Sequence, residues 1–301
     1  MSYLGEFSAL LTALFWTVTS LSFEAAGKRV GSLQVNLIRL VIAFFIYSLY
    51  LKITRGMFLP LDAGMERWLW LSLSGVVGFV LGDLLLFQAF VVVGARVAML
   101  IMSLSPPVTA LISWLMLGEV LTPMNWLGMG VTLTGISLVV LKRERGNGST
   151  RRKITSAYSM KGILLAFGGA VGQAAGLVLS KRGMGSYDAF ASSQIRVIAG
   201  MVGFLIIILM MRRWPMILRT LRNKPAMRLI SLGSLFGPFL GVSFSLLAVQ
   251  HTQAGIAATI MAIVPVLIIP PAVLIFRERI NWKEITGALI TVAGVMLFFL
   301  A

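Results

Sequence analysis

The stretch Gly94 to Glu119, GARVAMLIMSLSPPVTALISWLMLGE, recurs without a gap as Gln253 to Glu278, QAGIAATIMAIVPVLIIPPAVLIFRE. At one constant offset Ala95 falls on Ala254, Ala98 on Ala257, Ile101 on Ile260, Met102 on Met261, Pro106 on Pro265, Leu115 on Leu274 and Glu119 on Glu278. Each copy is apolar and long enough to cross a bilayer as a helix. Each also carries a proline near its middle, where a soluble helix would lose a backbone hydrogen bond and suffer a clash. In lipid such a break is tolerated only where neighbouring protein or an internal cavity satisfies the freed backbone groups. The duplication therefore restricts the chain to a doubled helical membrane unit.

The rest of the chain extends the same pattern. At that offset Ser74, Gly78 and Gly82 fall on Gly233, Gly237 and Gly241, a small residue every fourth position that lets helix backbones approach closely. Gly128 and Gly135 match Gly287 and Gly294, and Arg39 corresponds to Arg196 at a slightly different offset. With a span taken as about 20 apolar residues, ten are expected: 7–26, 34–51, 68–91, 95–117, 123–141, 160–179, 192–211, 226–249, 254–276 and 282–300. Ten divides into a first five-helix repeat at 1–141, a basic linker at 142–159 and a second five-helix repeat at 160–301. An odd number of spans per repeat turns the second upside down relative to the first. The expected fold is an all-α membrane protein of ten transmembrane helices, arranged as two inverted five-helix repeats around a central cavity.

Composition excludes the main alternatives. At 58% hydrophobic and 12% charged residues, the chain is too apolar for a soluble fold of its length. A net charge of +16 would suggest nucleic acid for a soluble domain, but here the basic residues sit in short loops, where they orient helices. No nucleic-acid partner is expected. Loops on one side hold nineteen Lys and Arg against five on the other, which places both termini outside the cytoplasm. The first apolar run lacks a basic leader and a small-residue cleavage site, and reads as a retained helix. With no cysteine and the single histidine His251, thiolate and HExxH metal sites are ruled out. No serine elbow, Walker loop or dinucleotide fingerprint occurs. The sequence thus predicts no catalytic residue, cofactor or metal.

Chemistry is expected inside the membrane. Glu24, Arg39, Asp83 and Arg196 lie within or at the edge of predicted spans, where facing lipid would be costly. Helical rise puts Arg39 and Asp83 about 10–15 Å below the same surface, close enough to pair, with Glu24 near enough to compete. That pair reads either as a structural ion pair or, through Asp83 or Glu24, as a site of proton uptake. The position matching Asp83 is Val242, so Arg196 either snorkels to the surface or receives a solute carboxylate. Candidate solute contacts are Trp16, Thr17, Ser20, Gln88, Ser103, Gln173, Arg196, Ser243 and Thr259, with Ser105 and Ser245 beside them. Trp16 and Gln173 coincide when Gly5 and Gly162 are aligned. Met99, Met102 and Met261 suit an adaptable apolar wall. Pro106, Pro107, Pro265 and Pro270 are the expected hinges. Thr122 before Pro123, and Asn281 with Glu284, read as helix starts, and Glu119 and Glu278 as interfacial carboxylates.

These features together resemble the drug/metabolite transporter superfamily, in its EamA-type ten-span form. The residues that carry the resemblance are Arg39 in LIRLVIAFF, Arg196 in QIRVIAGMV, the Pro106 block ending in LGE at Glu119, its Pro265 copy ending in RE at Glu278, and the closing spans with Gly128 and Gly287. The resemblance implies a secondary carrier that exports small organic metabolites, amino acids or similar solutes, by alternating access across the cytoplasmic (inner) membrane. Its partners would be the solute and the lipid bilayer, with proton coupling and a monomeric state as further expectations. It also implies cytoplasmic termini, opposite to the charge count. The competing reading is a lipid-binding or scrambling module, whose mark would be a lipid-open lateral groove.

Overall fold

In the computed structural model residues 3–140, 159–271 and 282–300 are described, and every element among them is helical. We number them α1 (Leu4–Val30), α2 (Ser32–Arg55), α3 (Met65–Ala95), α4 (Ser105–Leu117), α5 (Pro123–Val140), α6 (Met160–Met184), α7 (Ala189–Met210), α8 (Trp214–Arg222), α9 (Lys224–His251), α10 (Ala254–Met261), α11 (Val264–Leu267) and α12 (Trp282–Leu300). Apolar runs set their lengths and local chemistry sets their ends. Asp188 and Asn223 accept hydrogen bonds from the N–H groups of Ala191 (2.7 Å) and Ala226 (3.1 Å), and Thr122 accepts from Asn125 at 3.2 Å. The predicted start at Asn281, the carboxylate Glu278 and nearly all of the linker lie outside the described residues.

Seven helical segments among the described residues are long and apolar enough to cross a membrane: α1, α2, α3, α6, α7, α9 and the run 254–271; Ser105–Leu117 and Ile285–Leu297 are shorter apolar helices. The predicted fourth span is not one helix. Gly94, at φ 82°, kinks the chain in a conformation that side chains with a Cβ avoid, and a run to Met102 then stops before α4. The predicted ninth span is divided in the same way between α10 and α11. Between spans seven and eight, where only a basic loop was expected, the short amphipathic α8 turns Ile217 and Thr220 inward.

The divisions fall at duplicated positions. Leu104 N–H bonds the Ile101 carbonyl three residues back at 3.0 Å, and its counterpart Ile263 bonds Ile260 at 3.3 Å. The prolines explain the breaks. Pro106, Pro107 and Pro265 have no N–H for the carbonyls of Met102, Ser103 and Met261, so each helix stops and restarts with proline in its first turn. A second symmetric irregularity lies in α3 and α9, where Val76–Asp83 and Leu235–Gly241 widen into π-helix. Pro238 sits inside the latter, and the buried Tyr47 hydroxyl lies 2.7 Å from the Pro238 carbonyl and 2.7 Å from Ser243 Oγ. Such wide turns are rare and concentrate at functional sites.

Packing around the two π segments differs. On α3 the small residues meet backbone: a Cβ added at Gly172 would lie 2.7 Å from Gly82 Cα, and Ser74 Oγ donates to the Gly176 carbonyl at 2.6 Å. On α9 the corresponding glycines instead receive the side chains of Phe23, Thr19 and Trp16 from α1. These pairings bring α1 and α6, the first helices of the two halves, to the middle of the bundle.

Candidate functional site

Two open lobes, of about 610 Å³ and 540 Å³, share a wall made by Trp16, Phe79, Met99, Met102, Gln173 and Val242. The first lobe is completed by Ser103, Ser105, Arg196, Ser245 and the α10 residues Ala258 and Met261; the second by Ser20, Arg39, Asp83 and Phe90. The wall therefore draws on both helix breaks, both inward arginines and the π segment of α3. Met102, Ser103 and Met261, whose carbonyls lack their usual helical donors, all line it.

One polar network crosses the second lobe. Asp83, at the end of the α3 π segment, accepts from Arg39 of α2 and from Gln173 of α6. Arg39 Nε donates to Asn36 Oδ1 at 3.1 Å, and Asn36 Nδ2 donates back to the Asp83 carbonyl at 3.3 Å. Gln173 Nε2 also reaches the Gly78 carbonyl at 3.3 Å, one of the backbone groups that the π turn displaces. The Arg39 guanidinium lies 4.5 Å from the Phe87 ring centre and 5.6 Å from that of Phe79. Arg39 and Asp83 are each 4% exposed, so the pair lies in a dry wall where removing one partner strands the other.

Arg196 has no such partner. It is 3% exposed and lies 4.8 Å from the Phe79 ring centre, and its Nε has no hydrogen-bond partner among the described residues. It does not snorkel to a surface. Glu24 does not compete for Arg39 either; it bonds Lys28 at 2.5 Å, one turn on in α1.

A different ionic cluster closes the end of the bundle that carries α1's first residue. Glu119, just past α4, pairs with Lys181 of α6 at 2.5 Å, accepts from Ser113, and accepts the Ala254 N–H at 2.9 Å. Lys181 also donates to the Thr252 carbonyl at 2.6 Å. A carboxylate from the first half thus satisfies an orphan N–H at the start of α10 in the second, where the helix dipole favours negative charge.

Several sequence-predicted contacts lie elsewhere. Thr17 bonds the Ala13 carbonyl, Gln88 accepts from Ser32 at 2.7 Å, Ser243 meets Tyr47, and Thr259 bonds the Gly255 carbonyl; these four line neither lobe. Trp16, Ser20, Ser103, Gln173 and Arg196 do line the cavity. Pro106, Pro107 and Pro265 follow the breaks, and Pro270 is exposed beyond α11. His251 is exposed at the end of α9. Sequence reasoning missed Phe79, Asn36 and Lys181. Asn36 stands three residues before Arg39 and Phe79 four before Asp83, the spacings at which helical side chains meet.

Apolar spanning helices that enclose a partly polar cavity, bounded by duplicated helix breaks, define an integral membrane transporter. The sequence profile of the EamA-like transporter family matches residues 3–141 and again 160–300, and the chain belongs to that family. Human solute carrier family 35 member G1 is 28% identical over 97% of this chain and 77% of its own length. An uncharacterized transporter from the cobO 3′ region of Sinorhizobium sp. is 29% identical over 47% of this chain and 99% of its own. A solved crystal structure at 16% identity covers 100% of this chain and 98% of its own with a TM-score of 0.71, which shows the fold alone. The chain is a multi-pass membrane transporter and not an enzyme.

Proposed function

We propose that the chain is a secondary carrier that exports small organic metabolites, amino acids or similar solutes, across the cytoplasmic membrane by alternating access. In this reading ten spans form two five-helix repeats of opposite polarity, 1–141 and 160–301, joined by the basic segment 142–159. The single observation that carries it is the duplicated break. The turns at Ser103–Leu104 and Ala262–Ile263 occupy matching places in the two halves and face one cavity. Discontinuous helices in corresponding positions are where carriers bind solute and flex. Pro106, Pro107, Pro265 and Pro270 supply the hinges, and release of the Glu119–Lys181 cluster opens one end. Asp83, held by Arg39 and Gln173 in the same wall, is the group through which a proton exchanges against solute.

Purified protein in liposomes tests this. Exchange of preloaded radiolabelled amino acids, nucleosides or organic cations is the expected outcome. Failure to move any of them, with phospholipid crossing instead, would replace the carrier with a scrambling module.

A further inference from the structure

We infer that Arg196 is the receptor for the carboxylate of an organic monoanion with an apolar body, which the first lobe takes as its preferred solute. The inference rests on the carrier reading only in taking that lobe as the solute chamber. Three charged side chains line the two lobes among the described residues: Arg39, Asp83 and Arg196. Asp83 is already engaged by Arg39 and Gln173, so one cation is left over in the dry middle of a membrane protein. A charge so placed is costly unless a counter-ion reaches it. Asp83 lies within reach of its field, but that carboxylate bonds Arg39 and Gln173 and not Arg196, whose Nε is buried with no acceptor among the described residues.

The surroundings say what kind of anion fits. Arg196 sits over Phe79 at 4.8 Å and against the Cβ-free face of Gly78 in the α3 π segment. With no side chain at Gly78 the guanidinium has room beside the π segment, and its planar fork matches a carboxylate. Beyond it Met99, Met102, Met261, Leu177 and Trp16 give a mostly apolar and aromatic wall, interrupted by Ser103, Ser105, Ser245 and Gln173 and holding no second cation. A small hydrated inorganic anion would use only the polar part of that wall, whereas a carboxylate on a hydrocarbon or aromatic body would use both parts.

The test uses the full-length protein in detergent and four probes of one shape: phenylacetate, its methyl ester, phenylacetamide and phenethylamine, with sodium chloride at matched ionic strength. Binding is read by the rise in melting temperature. Phenylacetate is expected to stabilise the protein, and the ester, amide, amine and chloride to do so weakly or not at all. Arg196→Gln should weaken phenylacetate about 30-fold or more, while Arg196→Lys keeps part of the effect and shows that the site is intact. The inference is overturned if the amine or the amide binds as well as the acid, if chloride alone gives the full shift, if no probe binds, or if the acid's effect survives Arg196→Gln. Arg196-dependent binding without flux in liposomes would support the site and sink the carrier. Arg196-independent flux of a cation would do the reverse.

Discussion

At the scale of single residues, the buried Arg39–Asp83 pair is the most sensitive point of the molecule. Asp83→Asn leaves two arginines around Phe79 with no acid between them, and we expect a loss of about 3–5 kcal/mol in stability. The double variant Asp83→Asn with Arg39→Gln should lose much less than the sum of the two singles, since the second change removes the stranded charge. Melting curves of the four proteins in one detergent measure this, and additive losses would refute it. The same Asp83→Asn protein separates the pair's two readings: if exchange in liposomes stays equally pH-dependent, Asp83 is not the proton site. A milder effect belongs to Asp62, on the loop between α2 and α3. Burial alone would raise its carboxyl, but the hydrogen bond from Tyr187 at 2.7 Å and the Arg55 guanidinium hold it below its ordinary value of 3.8. A depressed value means that the clamp's stabilisation is complete above 3.8 and is lost as pH falls through the lowered pKa. The group is well exposed, so Asp62→Asn should cost under about 1 kcal/mol at neutral pH and flatten the acid limb of the melting profile.

At the scale of elements, the tight crossing of α3 and α6 depends on the absence of side chains. Gly172→Ala would place a methyl 2.7 Å from Gly82 Cα, where backbone stands on both sides and nothing flexible can yield, so about 1–3 kcal/mol should be lost. Gly130→Ala on α5 meets nothing within 4 Å and should be neutral or mildly stabilising, because alanine favours helix. Equal melting temperatures for both variants would contradict the crossing. Much of this architecture was legible in the sequence, because the small residues of α3 and the prolines of α4 and α11 recur at one offset and each has a direct backbone consequence. The depth argument also placed Asp83 within reach of Arg39, since helical rise is nearly constant. The rest was hidden for identifiable reasons. Helical periodicity is insensitive to a wide turn, so neither π segment shows in a hydropathy pattern. The nine-residue α8 is too short for its apolar period to stand out and carries two arginines, so it reads as loop. Polar residues such as Thr17 and Thr259 have carbonyls of their own helix as partners, and composition cannot tell that use from lining a cavity.

At the scale of the whole molecule, an ionic contact joins the halves where Glu119 of one meets Lys181 and the first N–H of α10 in the other. If the halves rock against each other, this cluster must come apart, and its strength sets how often that end opens. The side chains of Lys181 and Glu119 are 21% and 15% exposed, so the pair is partly screened from solvent. With charge-assisted bonds and a helix N-terminus in one cluster, a contribution on the order of 1–2 kcal/mol corresponds to a factor of about 5–30 in the open population. The natural sequence has no cysteine, so a single reporter needs no background removed. Ala258→Cys puts a thiol in the cavity wall about 6 Å beneath Ala254. In that background Lys181→Met or Glu119→Gln should speed labelling by a membrane-impermeant maleimide about 5–30-fold, and the exchanged pair Lys181→Glu with Glu119→Lys should slow it again. Running the reaction on right-side-out and inverted vesicles also fixes orientation. The basic loops place the Glu119 end, which carries both termini, outside the cell, and family resemblance places it in the cytoplasm; only one vesicle preparation will show the acceleration. Unchanged labelling in both preparations for both single variants would mean that the cluster is a static brace and that the halves part somewhere else.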